Sequence, residues 1–251
     1  MTRLIAGIQP VREAIRALGS RVERVLVVDR PRTDSPTLAA LTRFARDQGI
    51  EVVASPLASL DKLAGGARHQ GVVAWAPELP ILDVDGLIAI DPTLIVALDR
   101  IADPQNFGAI VRSSVAFGAD AVLWPEHSSA PLSAAMARAS AGAVEHAHLC
   151  RVPSLPSALD KLRDAGLEIV GLAGDSPVRL QAVDLAGPVC VVIGSEGTGI
   201  RRSVRAACDR LARIPSRPPV STLNASASAA IALYEVRRQR DALSATVDAS
   251  P

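Results

Sequence analysis

The chain has 251 residues, of which 49% are hydrophobic and 21% charged, and its formal net charge is +1. These values are typical of a globular protein with a sizeable core, and they exclude a uniformly basic nucleic-acid binder. No apolar run approaches the roughly 18 residues of a membrane helix, and the N-terminus lacks a signal-peptide pattern, so we expect a cytoplasmic location.

The first 77 residues alternate between helix-like and strand-like apolar patterns. The spacing predicts helices at 7–19, 37–48 and 59–64 and strands at 25–28, 50–54 and 71–76. This alternation predicts a small α/β domain over residues 1–77. Residues 77–92 hold three prolines and four acidic residues, which indicates an interdomain linker over 78–90 with a short helical turn near its end.

A longer alternation fills residues 91–241, which we expect to form a second domain. Its apolar runs predict strands at 93–99, 121–124, 147–152, 168–173, 188–193 and 211–214. Helical patterns follow at 106–118, 131–140, 157–165, 203–208 and 224–240. The order predicts a parallel α/β sheet with ligands at the carboxyl ends of its strands, followed by a disordered tail at 242–251.

The cysteines are few and widely spaced. Cys150, Cys190 and Cys208 form no CxxC pair, and their number is odd. We expect buried free thiols rather than a disulfide or a metal site.

A first polar cluster follows the strand at 93–99. It contains Asn106 and Gly108, which the pattern places at a strand-to-helix turn, and Arg112 on the first turns of the helix. An ordinary structural interpretation stays open here, with the asparagine as a helix cap, the glycine for close packing and the arginine in solvent.

A second cluster follows the apolar strand at 188–193. Gly194, Gly197 and Gly199 lie within six residues and enclose Glu196. Glycines let a ligand approach the backbone closely, but the spacing is not the GxGxxG of dinucleotide sites, where a glutamate beside the phosphates would be unfavourable. A cationic ligand such as the sulfonium of S-adenosylmethionine suits this loop, and a tight turn without a ligand is the alternative.

The third cluster spans Ile214, Ser216 and the run Thr222-Leu223-Asn224 before the last helix. Thr222 and Asn224 are candidate helix caps. Capping does not explain the small residues that follow, which allow another backbone or a flat ligand to pack closely.

These three segments, in this order, resemble the signature motifs of the SpoU (TrmH-like) group of SPOUT RNA 2′-O-ribose methyltransferases. The opening GIQPVREAI and the segment from His69 to Ala74 resemble the N-terminal substrate-binding domain of the RlmB type. The resemblance implies a parallel-sheet domain with a C-terminal trefoil knot, an L30e-like RNA-binding domain before it, and a homodimer. It further implies S-adenosylmethionine as cosubstrate, no metal, and a guanosine of 23S ribosomal RNA, in the large subunit, as the target.

The resemblance also assigns site residues by motif position. The catalytic set is Asn106, Arg112, Glu196, Thr222 and Asn224. The cofactor-binding set is Ala173, Gly174, Gly194, Gly197, Ile214, Ser216 and Leu223. We expect Arg112 to anchor a phosphate and stabilise the developing alkoxide, because a free arginine side chain stays protonated near neutral pH and is a poor base.

Some positions depart from the family pattern. Thr222 stands where serine is usual, Ser216 where methionine is usual, and residues 217–219 read Arg-Pro-Pro where a glycine is usual. These changes concern the cofactor loop and its affinity more than the chemistry.

Three other functions stay open. The chain could be a transfer-RNA 2′-O-methyltransferase, a ribosomal RNA methyltransferase that confers antibiotic resistance, or a non-catalytic RNA-binding protein on the same fold. The N-terminal domain argues against the minimal transfer-RNA type, and the intact polar set of Asn106, Arg112, Glu196 and Asn224 argues against the non-catalytic one. An oxidoreductase is disfavoured because no GxGxxG follows a first strand.

Overall fold

The computed structural model describes residues 2–29, 35–127, 129–130, 132–217 and 222–248, with side chains described up to residue 244 in the last helix. Within these ranges the strands are β1 (Thr2–Ala6), β2 (Arg24–Val28), β3 (Glu51–Ser55), β4 (Val72–Pro77), β5 (Ile81–Leu82), β6 (Leu94–Asp99), β7 (Ala121–Pro125), β8 (His148–Val152), β9 (Glu168–Leu172), β10 (Val189–Gly194) and β11 (Arg210–Ala212). The helices are α1 (Ile8–Leu18), α2 (Pro36–Asp47), α3 (Leu57–Ala64), α4 (Val84–Ile88), α5 (Pro104–Ala116), α6 (Ala134–Ala139), α7 (Leu155–Asp164), α8 (Arg202–Ala206) and α9 (Ala225–Asp248).

The chain forms two compact units. Residues 1–79 together with 132–146 form the first, and residues 80–131 together with 147–251 form the second. The first unit therefore includes α6 and the turn after it, although the sequence pattern places both within the second domain. The predicted domain boundaries at residues 77 and 91 stay predictions.

The first unit contains a mixed four-stranded sheet in the order β1-β4-β2-β3. β4 pairs antiparallel with β1 and β2, and β2 pairs parallel with β3. The core between this sheet and α1 and α2 holds the stripe of Val11, Ala14 and Ile15, as the periodicity predicts. The sequence did not predict β1, because its first residues, Thr2 and Arg3, are polar and leave only three apolar positions.

An ion pair and a polar contact of a histidine hold residues 132–146 within the first unit. Arg3 makes a bidentate contact with Glu145, whose side chain is only 1% exposed, and its Nε donates to the carbonyl of Pro77. His146 Nε2 lies 3.0 Å from Glu13 Oε2 on α1. These partners lie more than 130 residues apart in sequence, so the local pattern contains no signal for the pairing.

The second unit contains a seven-stranded sheet in the order β11-β9-β10-β6-β7-β8-β5, and every pairing in it is parallel. All six positions of β6 are buried, as expected for a central strand covered on both faces. The predicted parallel α/β sheet is confirmed. The trefoil knot stays a prediction.

Two predicted stretches differ from the structure. The stretch predicted as a linker contains β5, which pairs with β8. The helical turn predicted near its end is present as α4, which begins after Asp83, whose Oδ1 accepts a hydrogen bond from Gly86 N at 2.8 Å. The last helix was predicted to end at Arg240 but continues to Asp248, into the stretch predicted as a disordered tail. This helix packs on α5, and the exposed ring of Tyr234 meets Phe117 edge to face at 6.3 Å.

Across the described ranges, no helix has both the length and the apolar character that crossing a bilayer requires.

Candidate active site

The site is built at the carboxyl ends of the two central strands. β6 ends at Asp99 and β10 ends at Gly194, and these two residues are direct partners in the sheet. Asp99 is fully buried, and its carboxylate accepts hydrogen bonds from Arg201 N and Arg201 Nε, both at 2.7 Å. This ion pair ties the end of the glycine-rich loop to the end of β6, next to Gly194, where the loop begins.

The loop itself, residues 194–200, depends on glycine for a steric reason. A Cβ on Gly194 would lie 2.2 Å from the carbonyl carbon of Gly199 and 2.3 Å from the nitrogen of Ile200. Gly197 and Gly199 have φ values of 78° and 64°, in the left-handed region that favours glycine. The chain therefore folds back on itself so closely that its main-chain groups form a wall.

A cavity of about 360 Å³ lies against this wall, and we call it the glycine-loop cavity. All seven residues predicted to bind the cofactor line it: Ala173, Gly174, Gly194, Gly197, Ile214, Ser216 and Leu223. Sequence reasoning missed several other lining residues, among them Asp175, Thr198, Arg205 and Ser228. Asp175 directly follows two predicted positions, and Ser228 belongs to the run of small residues that the sequence offers to a flat ligand, but Arg205 lies on a helix whose pattern carries no mark of a ligand.

The chemistry of this cavity suits S-adenosylmethionine. Glycine and other small residues supply much of its lining, so a ligand can contact main-chain groups. Two carboxylates, Asp175 and Glu196, line it together with one guanidinium, that of Arg205, and the remaining negative charge favours a sulfonium cation over a phosphate. Arg205 donates to Asp175 at 2.9 Å, and this hydrogen bond holds the pKa of the Asp175 carboxyl below its usual value.

A second, smaller cavity of about 200 Å³ adjoins the first, and we call it the Asn106 cavity. Its lining includes Arg100, Asp103, Asn106 and Glu196. Asn106 Nδ2 donates to Glu196 Oε1 at 2.9 Å, and the main-chain N of Ala225 donates to the same oxygen at 3.4 Å. Residues from all three sequence clusters therefore meet at one carboxylate oxygen.

The predicted catalytic residues lie in four different settings. Asn106 and Glu196 are in direct contact, and Thr222 lines the glycine-loop cavity. Asn224 caps α9, because its Oδ1 accepts a hydrogen bond from Ala227 N at 2.7 Å. Arg112 is exposed, lines neither cavity, and makes no hydrogen bond or ion pair with any residue that the structure describes.

The position of Asn106 and Gly108 corrects the sequence interpretation. Both lie inside α5 rather than at the turn before it, because Asp103 caps that helix with a hydrogen bond from Gln105 N to its Oδ1 at 3.0 Å. Proline at the first helical position strengthens the early start. Asn106 thus projects from a rigid first turn.

The three cysteines are free thiols, as predicted. Cys150 and Cys190 are buried, and Cys208 is half-buried. Burial raises the pKa of Cys150 and of Cys208 to about 12, and it raises that of Cys190 as well. Such thiols are inert at neutral pH, which fits a structural role.

Comparison with known proteins agrees with this geometry. Residues 93–234 match the SpoU rRNA methylase family, and residues 4–81 match the family described as RNA 2′-O ribose methyltransferase substrate binding. An uncharacterized tRNA/rRNA methyltransferase of Mycolicibacterium vanbaalenii is 40% identical over 244 residues, covering 95% of this chain and 77% of the relative. A corresponding protein of Mycolicibacterium smegmatis is 38% identical over 245 residues, with the same coverage of both chains.

Two solved structures are similar along almost the whole chain. The SpoU methyltransferase AviRb from Streptomyces viridochromogenes, in complex with the cofactor AdoMet, has a TM-score of 0.77 at 28% identity, covering 96% of this chain and 91% of that one. The AdoMet-bound rRNA methyltransferase from Sinorhizobium meliloti shares the fold, with a TM-score of 0.76 at 23% identity over 94% and 87% of the two chains.

The family matches, the relatives and the glycine-loop cavity agree. This chain belongs to the SpoU family of RNA methyltransferases, and S-adenosylmethionine is its methyl donor.

Proposed function

We propose that the protein methylates the 2′-hydroxyl of a guanosine in 23S ribosomal RNA, and that it acts in the cytoplasm as a homodimer of the RlmB type. One observation carries the proposal of ribose chemistry. The glycine-loop cavity and the Asn106 cavity share Ser195, Glu196 and Ala225 as lining residues. A donor in the first cavity and a hydroxyl in the second would therefore meet beside Glu196.

The contacts of Glu196 suit the orientation of a hydroxyl group. Its two hydrogen bonds, from Asn106 and Ala225, both go to Oε1. Within the described part of the chain, Oε2 has no partner, so it is available to accept a hydrogen bond from the acceptor hydroxyl. S-adenosylmethionine supplies a methyl group on a good leaving group, and the remaining task of the protein is to hold and orient the attacking oxygen.

We assign the catalytic roles by position. Glu196 orients the acceptor hydroxyl, and Asn106 holds Glu196 in place. Asn224 fixes the start of α9, from which Ala225 donates to Glu196. Thr222 and the seven cofactor-binding residues shape the donor side.

Arg112 acts, in this proposal, in the Asn106 cavity of a second copy of the chain. Its exposed position on α5 and the lack of any partner among the described residues support this assignment. An exposed apolar surface on the adjoining helix α9 is a suitable dimer interface, since Ile231 is 40% and Tyr234 57% exposed. From the partner, Arg112 would stabilise the negative charge that develops on the acceptor oxygen.

The choice of 23S ribosomal RNA is supported by the match of residues 4–81, nearly all of which lie in the first unit, to a substrate-binding family. Ribosomal RNA as the substrate is also the reason for the cytoplasmic location. The experiment is methyl transfer from labelled S-adenosylmethionine to unmodified 23S ribosomal RNA, with bulk transfer RNA and Arg112→Ala in parallel. We expect label on 23S RNA and its loss in the variant. Label on transfer RNA alone would overturn the substrate, and no label on either RNA would overturn the activity.

A mixing experiment tests the role of the second copy. Arg112→Ala and Asn106→Ala are each inactive in our proposal, but a mixed dimer contains one intact site, made by Asn106 of one copy and Arg112 of the other. Random mixing gives half of the dimers as mixed, so about a quarter of wild-type activity should return. No recovery after verified exchange of copies would place Arg112 in the cavity of its own chain.

A further inference from the structure

Arg100 is an arginine that no motif assigns to the site, and its backbone is unusual. It directly follows β6 and has a φ of 59°, in the left-handed region that non-glycine residues rarely adopt. Such positions persist where the surrounding structure holds them, and they are frequent at functional sites. This backbone turns the side chain of Arg100 into the lining of the Asn106 cavity.

The guanidinium of Arg100 is only partly satisfied. Its Nη2 donates to Thr198 Oγ1 at 3.1 Å, and this hydroxyl lies 2.8 Å from Ser195 Oγ in the glycine loop. Its Nε is buried and has no hydrogen-bond partner. A buried N–H of a charged group without a partner is unfavourable, so a ligand that accepts a hydrogen bond there would be stabilised.

The charges around the Asn106 cavity restrict the kinds of ligand that it can bind. Among the described residues that line it, Arg100 is the one with a positive charge, and Asp103 and Glu196 are negative. Both carboxylates already accept hydrogen bonds from protein N–H groups. A lone inorganic anion would be repelled by the two carboxylates, whereas a sugar phosphate offers hydroxyls to the carboxylates and phosphate oxygens to the guanidinium.

We propose that Arg100 binds the phosphate that adjoins the acceptor ribose and so positions the 2′-hydroxyl beside Glu196. This inference rests on the proposed function, because it assumes RNA in the Asn106 cavity. Arginine suits the role, since its planar fork can donate two hydrogen bonds to one phosphate. Arg100 and Arg112 then have different tasks, with Arg100 holding the substrate backbone from within the same chain.

The experiment measures binding of unmodified 23S ribosomal RNA at several salt concentrations, together with KM and kcat for methyl transfer and the Kd of S-adenosylmethionine. The variants are Arg100→Met, which removes the charge, and Arg100→Lys, which keeps it. Thr198→Val removes the hydrogen bond of Arg100 but leaves its charge. Arg202→Met is the matched control, because Arg202 is exposed on α8 and lines neither cavity.

Loss of one phosphate contact should lower the slope of log K against log salt by about 0.7 to 0.9. We expect this change in Arg100→Met, with a KM for RNA about tenfold higher and the Kd of S-adenosylmethionine within twofold of wild type. Arg100→Lys, Thr198→Val and Arg202→Met should keep the wild-type slope.

Two results would overturn the role of Arg100. One is an unchanged slope in Arg100→Met, and the other is an equal fall in Thr198→Val, which would make Arg100 a structural brace for the glycine loop. Failure of the proposed function is a separate result: the wild-type protein would bind the RNA without transferring a methyl group, and the salt slopes would still report on Arg100.

Discussion

The two adjoining cavities are lined by different kinds of chemical group. The glycine-loop cavity is walled largely by main chain and small residues, whose positions follow from the path of the backbone. The Asn106 cavity is lined by the side chains of Arg100, Asp103, Asn106 and Glu196. Donor recognition therefore depends on the fold of the loop, whereas acceptor recognition depends on individual side chains. Substitutions in the two cavities should have separable effects.

The largest effect is expected from Gly194→Ala, on the donor side. The added Cβ would clash with the backbone of Gly199 and Ile200, which cannot rotate away. Overpacking of this kind would disfavour the loop conformation that forms the donor site by about 1–3 kcal/mol. The Kd for S-adenosylmethionine should therefore rise by up to about a hundredfold. Isothermal titration calorimetry measures it.

Gly187→Ala is the control for that substitution, because nothing lies within 4 Å of the added Cβ. It should leave the Kd unchanged. Wild-type affinity in Gly194→Ala would mean that the close approach of the backbone is not required for the donor site.

Glu196→Gln should affect the acceptor side much more than the donor side, and we expect turnover to fall by about tenfold to a hundredfold. The amide keeps the shape and Oε1 but removes the charge that holds the acceptor hydroxyl. The Kd for S-adenosylmethionine should change by only a few fold. Glu126→Gln is the matched control, since Glu126 is exposed in the same unit and lines neither cavity. Loss of donor binding as large as the loss of turnover would show that the two sides are not separable.

Asp99→Asn tests the ion pair that closes the glycine loop. Asp99 is fully buried and accepts two hydrogen bonds from Arg201, so the loss of its charge should lower the free energy of unfolding by about 2 kcal/mol. Urea unfolding measures this change. Asp160→Asn removes an exposed partner of Arg163 and should lower the free energy by less than about 1 kcal/mol. Equal losses of unfolding free energy in the two variants would show that the buried ion pair of Asp99 does not stabilise the site.

The smallest effect is expected from alkaline pH, which should lower the free energy of unfolding of the second unit. The thiols of Cys150 and Cys208 have a folded-state pKa of about 12, well above the roughly 8.5 of an unfolded cysteine. Because the folded pKa is raised, the stability from each buried thiol is complete below about pH 8.5 and is lost as the pH rises toward 12. Unfolding of a Cys150→Ser variant across this range should show a weaker alkaline loss than wild type, and an identical loss would contradict the assignment.

The donor side could be predicted from the sequence better than the acceptor side. Gly194, Gly197 and Gly199 form a local pattern after an apolar strand, and the predicted cofactor residues all line one cavity. Asp99 and Arg201 carried no such signal, because their pairing joins residues 102 positions apart. Arg100 was missed for a related reason, since its role follows from a backbone angle that composition and spacing do not encode.

Prediction of the fold from the sequence has the same limit, because local patterns do not reveal pairings between distant residues. Apolar periodicity was sufficient for the parallel sheet, whose strands are nearly continuous apolar runs. It was not sufficient to place α6 in the first unit, because that depends on Arg3 meeting Glu145 and Glu13 meeting His146. Residues 218–221, which include part of the unusual Arg-Pro-Pro run, lie outside the described residues, so their expected effect on cofactor affinity stays a prediction.

The most direct test of the account is the chemical identity of the methylated nucleoside. Unmodified 23S ribosomal RNA is incubated with the protein and S-adenosylmethionine, digested to nucleosides and resolved by mass spectrometry. A donor in the glycine-loop cavity and a ribose in the Asn106 cavity predict a methyl group on a 2′-oxygen, which for the proposed target is that of a guanosine, and Glu196→Gln should form this product about tenfold to a hundredfold more slowly. A methyl group on the base would contradict the assignment of the Asn106 cavity to the ribose.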